Sequence, residues 1–178
     1  MPTRLDPSSP AELAETRIRP AWFVLYALAV SLWAGGTAIF TTLVTPVIFR
    51  SYGKDLAGDI VGRMFPLYFP YVLGLSAVAL VTFLAATRER SRAPSRLSLA
   101  LLVMALVVNS FVSFKLYPDI EAVKRQVPSF ERAADSPARR QFARLHGLSM
   151  VLNLVVLVDG LGLVLLLPAV GRSGSRPS

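Results

Sequence analysis

Three side chains in the C-terminal third, His146, Ser149 and Asn153, fall at i, i+3 and i+7. On a helix that spacing makes one stripe. An imidazole, a hydroxyl and an amide on one stripe can hold a polar solute, because each of them both donates and accepts hydrogen bonds. Asn109 and Tyr117 offer a second amide with a phenol, and Tyr68 and Arg63 add a further phenol and a cation. At 1.5 Å per helical residue, Asn153 lies about 10 Å below His146, and Asn109 about 12 Å below Tyr117. If both depths are measured from one membrane face, the two asparagines sit level. The spacing predicts that they meet through a direct or one-water hydrogen bond, and that these seven residues line one polar pocket.

His146 is the single histidine of the chain. Met150 follows on the same helical face, and Met64 is expected on the same side of the membrane. A histidine with thioethers suits a soft ion such as Cu(I). Haem ligation by two histidines is excluded within one chain, and His146 and Met150 project from one face and cannot grip opposite faces of a haem. The chain has no cysteine, which removes disulfides, thiolate catalysis and Cys-based zinc or iron–sulfur centres. Paired carboxylates, a nucleophile triad and a phosphate loop are also missing from the sequence. No cofactor and no enzymatic reaction are therefore expected. A copper- or haem-linked protein using His146 and methionines is the alternative.

Asp159 is the one acidic residue deep inside an apolar stretch, about 18–20 Å from either end of its helix. An ionisable group at that depth is costly and marks a functional hypothesis by default. No Lys or Arg stands at the same depth in any apolar stretch. The plain expectation is a neutral carboxyl bonded to a neighbouring helix through Ser31, Tyr26 or Ser76. The functional one is a proton or cation step.

These residues are carried by four apolar blocks, at about 21–49, 66–87, 96–117 and 147–167. The chain of 178 residues is 53% hydrophobic and 17% charged, which rules out disorder. Each block is long enough to cross a hydrocarbon core of about 30 Å as a helix. Lipid-exposed backbone must bond to itself, so helices are the structure expected. The fold class is all-α: an integral membrane bundle of four transmembrane helices with a short helical segment in the third loop. The third and fourth spans are expected to stop at Pro118 and Pro168, and Pro66 and Pro70 to kink the start of the second. Residues 1–20 read as a polar tail with one helical turn around Ala11–Thr16, and 171–178 as a second tail. The first block is too long for a cleaved leader and reads as a retained span.

The net charge is +8, but the basic residues flank the apolar blocks. That is the pattern of a bilayer partner and not of a nucleic-acid binder. Arg88, Arg90, Arg92 and Arg96 crowd the short second loop. Short basic loops stay inside, so both termini are expected in the cytoplasm, with the polar pocket on the other side of a bacterial inner or plasma membrane. Gly35, Gly36, Gly58 and Gly62 are expected to let helices pack closely, and an oligomer is compatible with such surfaces.

The Trp33-x-Gly35-Gly36 stretch followed by Pro46-x-x-Phe49, the Ala57-Gly58-x-x-x-Gly62-x-x-Phe65 entry, and Leu145-His146-Gly147-x-Ser149-x-x-x-Asn153 together resemble the transmembrane protein 205-like family. The resemblance spans roughly 22–167. It implies a four-helix membrane protein with a candidate site at these motifs, and it implies no reaction. The reading reached is a membrane protein that binds or passes a small solute or ion. A metal-handling protein and a structural or partner-binding membrane subunit are the alternatives.

Overall fold

The computed structural model describes residues 20–87, 92–132 and 136–172. The tails, including Ala11–Thr16, and the loop arginines Arg88 and Arg90 lie outside the described residues. Four long helices account for nearly everything described: α1 (Pro20–Ser51), α2 (Lys54–Ala86), α3 (Ala93–Lys124) and α4 (Pro137–Arg172). All four are long and apolar enough to cross a membrane. The protein is an all-α membrane bundle.

The helices form an up-down-up-down ring in which α1 and α3 each pack on both α2 and α4. This follows from the short connections, which leave consecutive helices antiparallel and adjacent. The shared core contains Tyr26, Val30, Trp33, Ala79, Phe83, Leu102 and Leu163. Large apolar residues such as Leu67, Phe114 and Leu165 point outward and are at least 75% exposed. In water that surface would be a liability, whereas in lipid it is the solvent-facing side.

The helices outrun the apolar blocks at both ends. The third span does not stop at Pro118, nor the fourth at Pro168; both helices continue through their prolines. Helix α2 likewise runs unbroken over Pro66 and Pro70. The short helical segment of the third loop is Tyr117–Lys124, continuous with α3.

Helices α1 and α3 pass their prolines by the same device. Each widens into a five-residue π-turn, Phe40–Val44 in α1 and Val112–Leu116 in α3. The N–H just before the proline then reaches five residues back, Thr45 to the Phe40 carbonyl and Tyr117 to the Val112 carbonyl. A proline ring normally clashes with the carbonyl four residues earlier. The extra residue of a π-turn shifts that register and lets the helix go on.

Two small-residue expectations need correction. Gly35 and Gly58 have open space where a side chain would begin. Gly36 makes room for Tyr71, whose hydroxyl donates to the Leu32 carbonyl at 2.7 Å. Gly62 lies beneath the Lys124 ammonium, which donates to the Gly58 carbonyl at 3.2 Å and pairs with Asp59 at 3.0 Å. Gly36 thus lets α2 close on α1 as expected, and Gly160 does the same for α4, where an added Cβ would stand 3.2 Å from the Ala34 Cβ.

Candidate functional site

The π-turn of α1 presents Thr41 to the bundle interior. The Asn153 amide of α4 donates to its hydroxyl at 2.7 Å. On its other side, Asn153 accepts from the Tyr68 hydroxyl of α2 at 2.9 Å. One amide thus ties three helices, and the Tyr68–Asn153 bond crosses the ring diagonally. Tyr68 is fixed by a stack on Phe40, with ring centres 4.2 Å apart and planes at 18°. Phe65, Phe69 and Tyr117 continue that aromatic cluster.

Below the amide lies a cavity of about 20 Å³, lined by Tyr68, Phe69, Val72, Asn109, Val112, Leu152, Asn153 and Val156. That is space for about one water-sized occupant. The two asparagines do line it together, but they do not bond to each other. Asn109 donates instead to Ser76 at 3.4 Å, and Ser76 donates to the Leu73 carbonyl at 2.9 Å. Both amides are therefore engaged with neighbours on other helices. The cavity separates them because Ser76 and Thr41 offered nearer partners.

Tyr68, Asn109 and Asn153 are thus brought together at the cavity, with Tyr117 one ring away behind Phe69; the other expected residues do not line it. The His146 ring stacks on Phe142, with centres 5.4 Å apart and planes at 10°. Ser149 turns back to the His146 carbonyl at 2.8 Å. Tyr117 packs edge-on against Phe65, and Arg63 is exposed. Met150 is 61% exposed on the outside of α4, turned from the bundle. Among the described residues, no three His, Cys, Asp or Glu groups converge as metal ligands would.

The π-turn end carries a docked loop. Asp55, in the first turn of α2 and ahead of its apolar stretch, accepts from the Ser129 hydroxyl and from the Phe130 N–H, both at 2.6 Å. Those bonds, Ser129's foremost, hold its carboxyl below the usual carboxylate range. Arg139 donates to the Phe130 carbonyl at 2.9 Å, and Phe130 packs on Phe142. His146 therefore belongs to the seat of this loop.

Asp159 lies six residues beyond Asn153 on α4, 4% exposed, and neither carboxyl oxygen has a hydrogen-bond partner. The partners expected for it are not there. Ser31 is exposed, and Ser76 is engaged with Asn109 and Leu73. Tyr26 does not bond to Asp159; its hydroxyl adjoins Ser98 instead.

Sequence reasoning missed Thr41, and it assigned Ser76 to Asp159 where the structure gives it to Asn109. Each looks like a small polar residue in an apolar run, and only the inward turn of its helix gives it a role. The pairing of a Phe-Thr-Thr run with a proline shortly after was the available signal.

No solved structure matches the chain. A protein of Aquifex aeolicus (strain VF5), named "Uncharacterized protein", is 30% identical over 138 residues, which is 78% of this chain and 90% of that one. Residues 28–129, which hold α2, both π-turns and Asn109, match the family model described as a domain of unknown function, DUF4149. With its four helices long and apolar enough to cross a membrane, the chain belongs to the DUF4149 family.

Proposed function

We propose that this protein binds or passes a small solute or ion through the cavity beside Asn153, at the end of the bundle that carries the π-turns. The carrying observation is the Asn153 amide, held at both ends by Thr41 and Tyr68 over a cavity that Asn109 also lines. Fixed amides on several helices offer donors and acceptors with no net charge. They suit a water-sized polar molecule or a bare monovalent ion; anything larger requires Tyr68 or Leu152 to move.

The arginines of the second loop support placing both termini in the cytoplasm, with the cavity toward the opposite face. A reporter active only in the cytoplasm, fused after Ser178, is then active; a well-expressed but silent fusion reverses the orientation. Kinship with the transmembrane protein 205-like proteins is part of the same reading, supported by the motifs around Gly36, Gly62 and Asn153.

The test is thermal unfolding of the purified protein in lipid nanodiscs against monovalent salts and small neutral solutes. A ligand present at one hundred times its Kd stabilises by about 2.7 kcal/mol. At least one member of the panel is expected to raise the transition temperature of the wild type, and Asn153→Leu to lose that rise while staying helical. A rise retained in Asn153→Leu, or none with any member, refutes the reading.

A further inference from the structure

Asp159 is not alone among buried polar groups without a hydrogen bond: the Trp33 indole N–H and the Thr37 hydroxyl of α1, both on fully buried side chains, are open as well. The Asn153–Thr41 bond and the Gly160–Ala34 contact set α1 against α4, so that Asp159 stands at the level between Trp33 and Thr37. Trp33 is placed by Gly160: its Cε2, bonded to the indole nitrogen, lies 3.8 Å from where a Gly160 Cβ would stand.

Buried polar groups are paired in the great majority of cases, and each exception calls for a reason. Asp159, Trp33 and Thr37, gathered at one contact of α1 with α4, form a cluster rather than a stray defect. Its chemistry is also two-sided. A neutral carboxyl donates one proton, which the Thr37 oxygen can accept. A carboxylate only accepts, and the Trp33 N–H and the Thr37 hydroxyl can donate to it. No Lys, Arg or His stands at that depth on the helices packed against α4. An opposing cation is not supplied by the protein, so the ligand that neutralises the carboxylate must come from outside.

We propose that Asp159 is an exchangeable proton-binding site in the membrane interior, with Trp33 and Thr37 as the groups that accommodate its two protonation states. The step is proton binding alone: a carboxylate oxygen takes a proton from hydronium and water is released. The proton enters from the cavity end, where Asn153 stands six residues from Asp159, about 9 Å along α4. Thr37, fully buried and also unbonded, lies on α1 between Trp33 and Thr41 and extends the polar path toward that end. The site does not depend on what the cavity beside Asn153 holds.

Infrared spectroscopy of the lipid-reconstituted wild-type protein tests this. Asp159 is the one Asp or Glu deep in an apolar block, so a protonated-aspartate C=O band at neutral pH is its own. Labelling with 13C-aspartate assigns the band without any variant, and Asp159→Asn is expected to delete it. The band is expected to shift in D2O and to give way to carboxylate at alkaline pH, with Thr37→Val slowing the D2O shift. A folded protein with no such band at any pH overturns the proposal. So does a band that never shifts in D2O, which marks a sealed acid. A band lost on adding sodium or potassium at constant pH also overturns it, because the site then takes a metal cation.

Discussion

Two polar clusters share the interior of this bundle, and they are built on opposite terms. Around Asn153 the protein supplies the partners: Thr41 and Tyr68 bond to the amide, and Ser76 receives Asn109. Around Asp159 it supplies the groups but not the bonds, so that the carboxyl, Trp33 and Thr37 are all left open. A satisfied network locks helices together and fixes their register. An unsatisfied one costs stability, and it persists only where something else uses it. The difference separates a structural joint beside a cavity from a site kept ready for a ligand.

The largest effect is expected where bonds exist. Asn153→Leu removes both bonds of the amide and leaves the Thr41 and Tyr68 hydroxyls unpaired near the cavity. A buried group left unsatisfied costs about 1–3 kcal/mol. Unfolding in mixed micelles should show a loss of that order. A loss near zero would mean that the two hydroxyls find other partners, and the contrast between the clusters would fade.

Smaller losses are expected from Thr41→Val and Tyr68→Phe, each of which deletes one interhelical bond. Such bonds in membranes average about 0.6 kcal/mol and reach about 1.7. The two bonds meet on one amide, so the double variant should depart from additivity. Strictly additive losses in a double-mutant cycle would show that the amide is not a shared joint.

A further effect depends on pH at the loop above the cavity. The folded-state pKa of Asp55 is depressed by Ser129 and Phe130. Its contribution is therefore present above the unfolded carboxylate pKa, and it is lost as pH falls through the lower, folded value. Amide exchange in the segment 125–132 should rise on acidification into that range. In Asp55→Asn the same segment should exchange faster at neutral pH and lose that acid dependence. Protection that does not change with pH would mean that Phe130 and Arg139 hold the loop without Asp55.

Much of this architecture could be read before any coordinates. Four apolar blocks in lipid have almost no choice but to become helices, because their backbone must satisfy itself. The inward faces were harder. Asn109 and Asn153 could be placed level by counting residues, and they do line one cavity. Their bonding partners could not be counted, because Thr41 reaches Asn153 only through the π-turn that lets α1 pass Pro46. Proline was read as a stop, and its avoidance by a widened turn leaves little trace in sequence. His146 failed for a different reason. The i, i+3, i+7 stripe is real, but α4 begins as early as Pro137 and carries His146 up to the loop, where Phe142 takes its ring. Gly160 was passed over because it adjoins the more conspicuous Asp159.

The smallest effect is expected at Asp159 itself, and it sharpens the comparison most. Asp159→Asn keeps the size and shape of the side chain and exchanges a carboxyl for an amide. At Asn153, removing the side chain breaks bonds; at Asp159 no bond to the protein exists to break. The amide brings its own donors, and the open Thr37 oxygen can receive one of them. Stability at neutral pH should therefore change little or rise slightly, although the side chain is as buried as the core around it. The measurement is the same micelle unfolding used for Asn153→Leu. A loss of about 1 kcal/mol or more, the net worth of a typical hydrogen bond, would reveal a partner that the carboxyl holds and the amide cannot. The two clusters would then be alike, both of them joints, and the case for a ligand at Asp159 would fall with the difference between them.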